Sequence, residues 1–380
     1  MEVEIITDQA GFLRLERCWD PLMTRAGIAN VFLTFDWLAT WCDHFGSQQQ
    51  LLIIVVRDDE GVIGIAPLAI TQREGFRRLG SIGAGLADYE DFIIAQDKMR
   101  QALLEAIFLA ADRVGGWDIF QLNKMPGDSA NLEPLTAVLQ RRPGPPPSLR
   151  TFSTAPYISI ETTWKDYWLR LNKRFRTDSE RRLRRLEREK GAISYHEPTD
   201  LTELNHYSEL LIRWHLVRRK EIKGDYSLFE DTTRIEFYKD LARRFFSTGW
   251  LSMVAMRSGA ETVAIHFGFN YAGKHFYIIP TFNDAYSRYA PGRLLLIHLV
   301  QESFDRGFKE FDMCYGDEDY KFSFNPQTRR LWSVTAYRPT IRGYTGKIWF
   351  GYLRPLLRRT QLRRSLVPWL RRTGIMGEFS

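Results

Sequence analysis

The chain of 380 residues is 44% hydrophobic and 14% aromatic, a composition that excludes a disordered protein and is sufficient for two domains of ordinary size. The net charge of +7 is concentrated at one end, because residues 320–377 contain 13 Lys or Arg and no acid, leaving 40 basic and 46 acidic residues elsewhere. This distribution argues against a protein coated in positive charge for nucleic acid and indicates a localised cationic surface.

The cysteines and the hydropathy pattern predict a cytoplasmic protein. Cys18, Cys42 and Cys314 show no metal-ligand or Cys-x-x-Cys spacing, and the N-terminus lacks the basic and apolar regions of a signal peptide. A reduced protein without a metal site is therefore expected. The longest aliphatic run, residues 51–56, is too short to span a bilayer, so we expect a protein that is soluble or peripheral on the inner membrane.

Two similar series of elements follow one another along the chain. Helical patterns over residues 11–25 and 35–45 precede QLLIIVVRDDEGVIGIAPLAI, which predicts a β-hairpin. Helical patterns over residues 202–217 and 233–247 precede a second hairpin, GWLSMVAMRSGAETVAIHFGF. The hairpins align at a shift of 200 residues, with Leu51 on Leu251, Arg57 on Arg257 and Ile65 on Ile265.

Each hairpin is followed by an apolar helix and another strand, over residues 116–122 and 307–313. The segment QRRPGPPPS, residues 140–148, cannot continue a helix and marks a boundary. We therefore predict a duplicated α/β unit. The predicted domains are residues 1–150, residues 151–343, and a basic tail at 344–380.

The sequence RYAPGR, residues 288–293, leads directly into an apolar helix. Pro291 suits the first helical turn, Gly292 lets a ligand approach the backbone, and the helix N-terminus favours an anion. Arg288 and Arg293 would add positive charge toward a phosphate. An ordinary proline-started helix explains the same residues equally well.

His266 lies in the strand pattern AIHFGF. Alternation places it on one face with Ala264 and Gly268, where small residues leave space for a ligand. A general base is a role that histidine often fills. A structural histidine is the competing interpretation, and only the second hairpin carries this residue because Ala66 occupies the equivalent position in the first.

Two other polar segments have a functional and a structural interpretation. The loop GAGLADYEDFIIA places Asp88, Tyr89 and Asp91 where they could hold an amine, although a turn explains these residues as well. The run at residues 170–190 carries ten Lys or Arg with four interleaved acids. A solvated helix with internal salt bridges is favoured there over contact with RNA.

The tail at residues 346–372 mixes leucine and aromatic residues with arginine pairs and contains no acid. Pro355 and Pro368 divide it into short helices. This pattern is typical of an amphipathic anchor on an anionic membrane surface. Packing against the acidic remainder of the protein is the alternative.

Taken together, these segments resemble the CelD-like, or cellulose-biosynthesis-type, acyltransferases of the GNAT superfamily. The resemblance covers roughly residues 10–340 and rests on FLTFDWLATWCDHFG, IGIAPL, DYEDF, VAIHFGFNYAGKHFYIIPTFNDAYSRYAPGRLLL and FDMCYGDEDYKFSF. It implies two tandem GNAT-like domains, as in the FemAB peptidyltransferases. Each would be a mixed, mainly antiparallel sheet flanked by helices, the first degenerate and the second catalytic.

The resemblance also implies transfer of an acyl group from a coenzyme A thioester to an amine, without a metal ion. It suggests His266 as base, Lys321 as oxyanion-stabilising or substrate-positioning group, and Tyr320 as proton donor to the leaving thiolate. Asp88, Tyr89, Asp91, Asp312 and Asp317 are the expected acceptor-side residues. The pyrophosphate loop corresponds to Arg288, Tyr289, Ala290, Pro291, Gly292, Arg293 and Leu294. Pro291 stands there in place of the family's first glycine.

The acceptor is left open by these residues. The basic, aromatic tail favours a lipid amine at the inner membrane face, such as the sphingoid base used by bacterial ceramide synthases. An amino sugar of exopolysaccharide is the main alternative. A FemAB-like transfer from aminoacyl-tRNA and a non-catalytic scaffold are further alternatives, and no obligate protein partner is expected.

Overall fold

The computed structural model describes residues 1–222 and 227–354. These residues form two compact units. Unit 1 comprises residues 1–28, 32–153 and 330–354, and unit 2 comprises residues 29–31, 154–222 and 227–329. Both units are mixed α/β structures in which helices flank a mainly antiparallel sheet, which confirms the predicted fold class.

The strands of the two units alternate with helices along the chain. The strands are β1 Glu2–Ile6, β2 Gln50–Asp58, β3 Gly61–Arg73, β4 Phe76–Ser81, β5 Ile93–Ile94, β6 Ile119–Pro126, β7 Ser148–Ser159, β8 Ile193–His196, β9 Leu251–Ser258, β10 Glu261–Tyr271, β11 Lys274–Phe282, β12 Glu310–Asp312 and β13 Gln327–Tyr337. The α-helices are α1 Gln9–Leu13, α2 Glu16–Ala26, α3 Phe35–Phe45, α4 Arg100–Val114, α5 Leu132–Arg141, α6 Trp164–Arg170, α7 Lys173–Lys190, α8 Leu201–Leu216, α9 Thr232–Thr248, α10 Pro291–Asp305, α11 Asp319–Phe322 and α12 Ile341–Ile348.

The two predicted hairpins form, and they share one register. Hairpins β2–β3 and β9–β10 are antiparallel, and each carries an irregularity at the equivalent position. Because a one-residue slip would move every side chain to the opposite face, identical registers at a shift of 200 support internal duplication. The corresponding pairs are Leu52–Leu68 with Ser252–Gly268, Ile54–Ala66 with Val254–His266, Val56–Gly64 with Met256–Ala264, and Arg57–Val62 with Arg257–Thr262.

The strand order is also the same in both units. Unit 1 orders its strands β1-β2-β3-β4-β6-β13, and unit 2 orders its strands β8-β9-β10-β11-β12-β7. In each unit one parallel pair is followed by an antiparallel strand. The chain, however, supplies these last strands out of sequence order. Residues 330–343 therefore group with unit 1, rather than with the second domain predicted over 151–343, because β13 pairs with β6 along Leu331–Tyr337.

Each unit has its own hydrophobic core. In unit 1 the strands β2 and β3 pack with α4 around Trp117 and Phe120, both fully buried. In unit 2 the strands β9 to β12 pack with α10 around Tyr289 and Phe311. These cores fix the strand ends and the helix N-terminus described below.

The predicted helices are largely confirmed, although the pattern at residues 11–25 divides into α1 and α2. Within the described ranges, no helix is both long and apolar enough to cross a membrane. The described part of the predicted tail consists of α12 and the π-helical turn Trp349–Leu353. Residues 355–380, which carry most of the predicted anchor, lie outside the described residues.

Candidate functional site

Strand β11 in unit 2 extends beyond its parallel partner. β11 pairs with β12 only through Lys274–Phe276 and Glu310–Asp312, whereas it stays paired with β10 as far as Phe282. A strand edge that outruns its neighbour presents backbone N–H and C=O groups to an extended ligand. The part of β11 after Phe276 is therefore a candidate site for an extended arm that carries amide groups.

Helix α10 begins close to the end of this strand. Ala290, with φ +55°, precedes Pro291 at the first helical position. The N-terminus of a helix of 15 residues attracts anions through its N–H groups and its dipole. A Cβ added at Gly292 would meet the Phe282 ring at 3.1 Å, so this first turn lies against the strand end.

The arginines of the loop are paired with carboxylates of α7. Arg288 contacts Glu189 at 3.0 Å, and Arg293 contacts Asp178 at 2.9 Å. The Tyr289 hydroxyl donates to Glu189 at 2.7 Å, and this bond, followed by that from Arg185, lowers the pKa of Glu189 to about 2. Both arginines thus have a carboxylate partner, and their role toward a phosphate stays a prediction.

Helix α7 has the internal ion pairs that the sequence predicts. Arg182 contacts Asp178 at 2.8 Å and Arg185 contacts Glu189 at 2.9 Å, each four residues apart. Hydrogen bonds from Arg182 and Arg181 lower the pKa of Asp178. Asp178 and Glu189 thus form ion pairs both within α7 and with the arginines at the start of α10.

His266 is completely buried on β10, at 0% exposure. Its ring is nearly parallel to that of Tyr277 on β11, with centroids 4.8 Å apart, and lies 5.3 Å from the His275 ring. Neither ring nitrogen has a hydrogen-bond partner among the residues that the structure describes. Burial, with a smaller effect of His275, holds its pKa well below the ordinary value, so the imidazole is neutral at pH 7.

The space at Gly268, beside His266, is filled. A Cβ at Gly268 would lie 2.5 Å from the His266 ring and 2.1 Å from the backbone oxygen of Phe276. The absent side chain at Gly268 therefore accommodates the imidazole and the neighbouring strand. A buried imidazole without a partner costs about 1–3 kcal/mol for each unsatisfied group, which is a reason to suspect a function. Its role as base stays a prediction.

Lys321 is buried, at 3% exposure, and its ammonium contacts the preceding loop. Nζ donates to the carbonyl oxygens of Tyr315 at 3.1 Å and Gly316 at 3.3 Å, and lies 2.9 Å from Glu318. The carboxylate that pairs with Lys321 is therefore that of Glu318. Since a lysine has three donors, this geometry uses them to hold the loop, and the role toward an oxyanion stays a prediction.

Tyr320 is a partly exposed residue next to the buried Tyr277. Tyr320 is 43% exposed, and, after burial, its proximity raises the pKa of Tyr277. Burial of the hydroxyl and then Glu318 raise the pKa of Tyr320. The phenol therefore stays protonated at pH 7, the form that a proton donor to a thiolate requires.

The structure separates the two predicted acceptor-side aspartates of unit 2. Asp312 is 0% exposed and accepts from Arg329 Nη1 at 3.2 Å and from the Cys314 N–H at 2.8 Å. Its carboxylate belongs to a buried ion pair, and a role toward an acceptor stays a prediction. Asp317 is exposed on the loop between β12 and α11.

The predicted acceptor residues of unit 1 have structural contacts of their own. Asp88 lies 3.4 Å from the Lys124 ammonium, and Tyr89 is 4% exposed. Asp91 accepts from Ser129 Oγ at 2.6 Å and from Asn131 Nδ2 at 2.9 Å. The turn interpretation therefore accounts for Asp91, and a role of these residues toward an acceptor stays a prediction.

Glu90 is a buried acid that the sequence analysis did not single out. It is 1% exposed and accepts from the Asn123 N–H at 2.9 Å. Burial raises its pKa from 4.5 to about 7, against smaller lowering effects of that hydrogen bond and of Lys124. The sequence signal that could have identified Glu90 was its position between Tyr89 and Asp91, two predicted site residues.

Glu90 should make the protein less stable as the pH rises from about 4.5 to 7. The unfolded chain ionises this carboxyl near pH 4.5, whereas the folded chain keeps the proton until about pH 7, so the free energy of unfolding falls by about 3 kcal/mol across this window. Glu90→Gln, which can still accept from Asn123, should remove this decrease. Denaturant unfolding at several pH values checks it, with exposed Glu133→Gln as control, and an unchanged slope in Glu90→Gln would refute it.

A comparison with protein families identifies a match in unit 2. Residues 173–322 match the model described as the acetyltransferase (GNAT) domain. This segment lies within unit 2 and includes β11, α10, β12 and α11. Among curated proteins no significant match is found.

Several solved structures share the fold. FemX has a TM-score of 0.62 at 11% identity, covering 89% of this chain and 98% of FemX. The C-terminal domain of a lysylphosphatidylglycerol synthetase from Agrobacterium fabrum has a TM-score of 0.55 at 8% identity, with 89% and 95% covered. L-PGS from Bacillus licheniformis has a TM-score of 0.52 at 13% identity, with 85% and 92% covered. With this fold and the domain match, unit 2 carries a GNAT domain, and the chain is an acyltransferase.

Proposed function

We propose that the chain is an acyl-CoA-dependent N-acyltransferase whose acceptor is a lipid amine, such as a sphingoid base, at the inner membrane face. The observation that carries the donor assignment is the edge of β11 beyond Phe276, followed by the N-terminus of α10. The edge offers hydrogen bonds to the amides of the pantetheine arm, and the helix N-terminus suits the pyrophosphate.

The residues beside this edge can carry the proton transfers of amide formation. An amine is mostly protonated at pH 7 and must lose a proton before it attacks, and the leaving thiolate must gain one. His266 is neutral, so it can accept a proton, although its lowered pKa makes it a weak base. Tyr320 is protonated and partly exposed, and it neighbours Tyr277, whose ring stacks on that of His266.

An exposed apolar stripe on α12 and the following turn supports a lipid acceptor. Ile341 is 85% exposed, Tyr344 51%, Ile348 52% and Tyr352 68%. Their spacing of three or four residues places them on one helical face. The opposite face packs on unit 1, since a Cβ at Gly346 would meet Ile119 at 3.1 Å. A helix with one face anchored and an apolar face in water suits the surface of a bilayer.

The structural neighbours are compatible with this acceptor. Two of them are named for a lipid product, lysylphosphatidylglycerol. At their identities the likeness concerns the fold alone, so they support a lipid acceptor only by showing that this fold occurs in such proteins. FemX has the same fold, and for this reason an aminoacyl donor has to be tested beside acyl-CoA.

Thermal unfolding with a series of acyl-CoA chain lengths tests the donor. A ligand that binds only the folded state at 100 times its Kd stabilises by about 2.7 kcal/mol, and we expect this with long chains. Gly292→Glu should weaken the effect more than Gly292→Gln, because both add a side chain against the Phe282 ring, whereas only the carboxylate repels the pyrophosphate. Gln301→Glu adds the same charge near the other end of α10 and should bind as the original chain does.

Other outcomes would point to other functions. Stabilisation by acetyl-CoA alone, with turnover of an amino sugar, would replace the lipid acceptor with a sugar. No stabilisation by any acyl-CoA would contradict the donor assignment and would favour an aminoacyl-tRNA donor or a scaffold.

A further inference from the structure

A cavity in unit 1 has an unusual excess of cations. Its volume is about 190 Å³, and it is lined from β4, β6, β13, the start of β7, α12 and the turn after α12. This is several times the roughly 30 Å³ that one water occupies in the liquid. Four lining side chains are basic: Arg78, Arg150, Lys347 and Arg354.

The described carboxylates balance only part of this charge. Glu74 contacts Arg78 at 3.2 Å and Arg354 at 2.8 Å, so one acid serves two guanidinium groups. Lys347 Nζ donates to a neutral acceptor, the Pro146 carbonyl oxygen, at 2.9 Å. Arg150 is exposed, and its side chain forms no hydrogen bond or ion pair with any residue in the described ranges. Positive charge thus exceeds negative charge around the cavity.

The cavity also offers fixed donors. Arg78 Nε is buried and has no acceptor within the described part of the chain. The Phe350 ring lies 4.6 Å from the Arg78 guanidinium and 5.5 Å from that of Arg354, which restrains both groups. The other polar lining residues are Gln121, Ser148, Ser333, Thr335 and Tyr337. Burial lowers the pKa of Arg78, and Glu74 offsets this effect only in part.

We propose that this cavity binds the phosphate group of a phosphate ester. Several guanidinium donors around a space of this size match the charge and the multiple acceptors of a phosphate. The site consists of unit 1 residues alone, so the proposal is independent of acyl-CoA binding in unit 2. A soluble phosphate ester and the headgroup of an anionic phospholipid present the same chemistry.

Binding to the full chain can be measured with three probes: inorganic phosphate and glycerol phosphate by calorimetry, and phosphatidylcholine vesicles with or without phosphatidic acid by flotation. Arg150→Glu should weaken binding at least about 10-fold, the effect of losing one charge-assisted contact. Arg113→Glu makes the same charge change at another exposed arginine of unit 1 and should bind like the original chain. Stabilisation by acyl-CoA should be unchanged in Arg150→Glu.

Saturable binding of the soluble probes that depends on Arg150 would support the proposal and identify a soluble ester as the ligand. Flotation that requires both phosphatidic acid and Arg150, without binding of the soluble probes, would support it and identify a lipid headgroup. The proposal is overturned if no probe binds, or if Arg150→Glu and Arg113→Glu bind equally well.

Discussion

Replacing His266 with alanine is expected to lower turnover by roughly 10²- to 10⁴-fold, the usual contribution of a general base, while acyl-CoA still stabilises the protein. The imidazole is buried, neutral and without a described hydrogen-bond partner. The β11 edge and the α10 N-terminus, which we assign to the donor, do not include this side chain. Steady-state kinetics beside thermal shifts with acyl-CoA separate the two effects.

His215 provides the matched control. It is also a buried histidine of unit 2, but its Nδ1 lies 2.8 Å from Ser227 Oγ. His215→Ala should lower stability without the specific loss of turnover. If His266→Ala retains turnover and only lowers stability, the imidazole is structural, and Tyr320 becomes the group to test next.

Asp312→Ala is expected to destabilise the protein by about 3–5 kcal/mol, since removing one partner leaves a buried charge with less compensation. Arg329 keeps its contact with Glu310 at 3.0 Å but loses the one with Asp312. The Cys314 N–H loses its acceptor as well, at a residue whose φ of +57° is unfavourable without support. Denaturant unfolding measures the change.

Asp317→Ala is the control, because this carboxylate is exposed on the same loop. Its effect on the free energy of unfolding should stay within about 0.5 kcal/mol. Asp312→Ala with Arg329→Met should recover part of the loss, as replacement of a whole buried pair is milder than removal of one member. Equal stability of Asp312→Ala and Asp317→Ala would refute the structural role and return Asp312 to the acceptor side.

The parts of the fold set by local pattern were predictable from the sequence. The hairpins follow from apolar runs joined by turns, where Gly61 and Gly259 adopt positive φ. The shift of 200 residues reappears in the strand register. The pairing of β7 with unit 2 and of β13 with unit 1 was not predictable, because the sequence of a strand does not indicate which strand it pairs with.

The site was predicted at the level of segments rather than side chains. The first turn of α10 lies against Phe282 at the end of β11, and the predicted loop leads into that turn. The partners of Arg288, Lys321 and Asp312 depend on residues distant in sequence or on loop geometry, such as Glu189 and Arg329. The stacking of His266 on Tyr277 was not predictable, because alternation describes one strand and says nothing about its neighbour.

The most direct test is to incubate the full chain with a long-chain acyl-CoA and a sphingoid base, and to measure the N-acyl product and the free CoA thiol together. We predict one thiol released for each amide formed, and a large loss of both in Gly292→Glu but not in Gln301→Glu. Absence of thiol release with every acyl-CoA and amine, together with product formed from an aminoacyl-tRNA, would contradict the account.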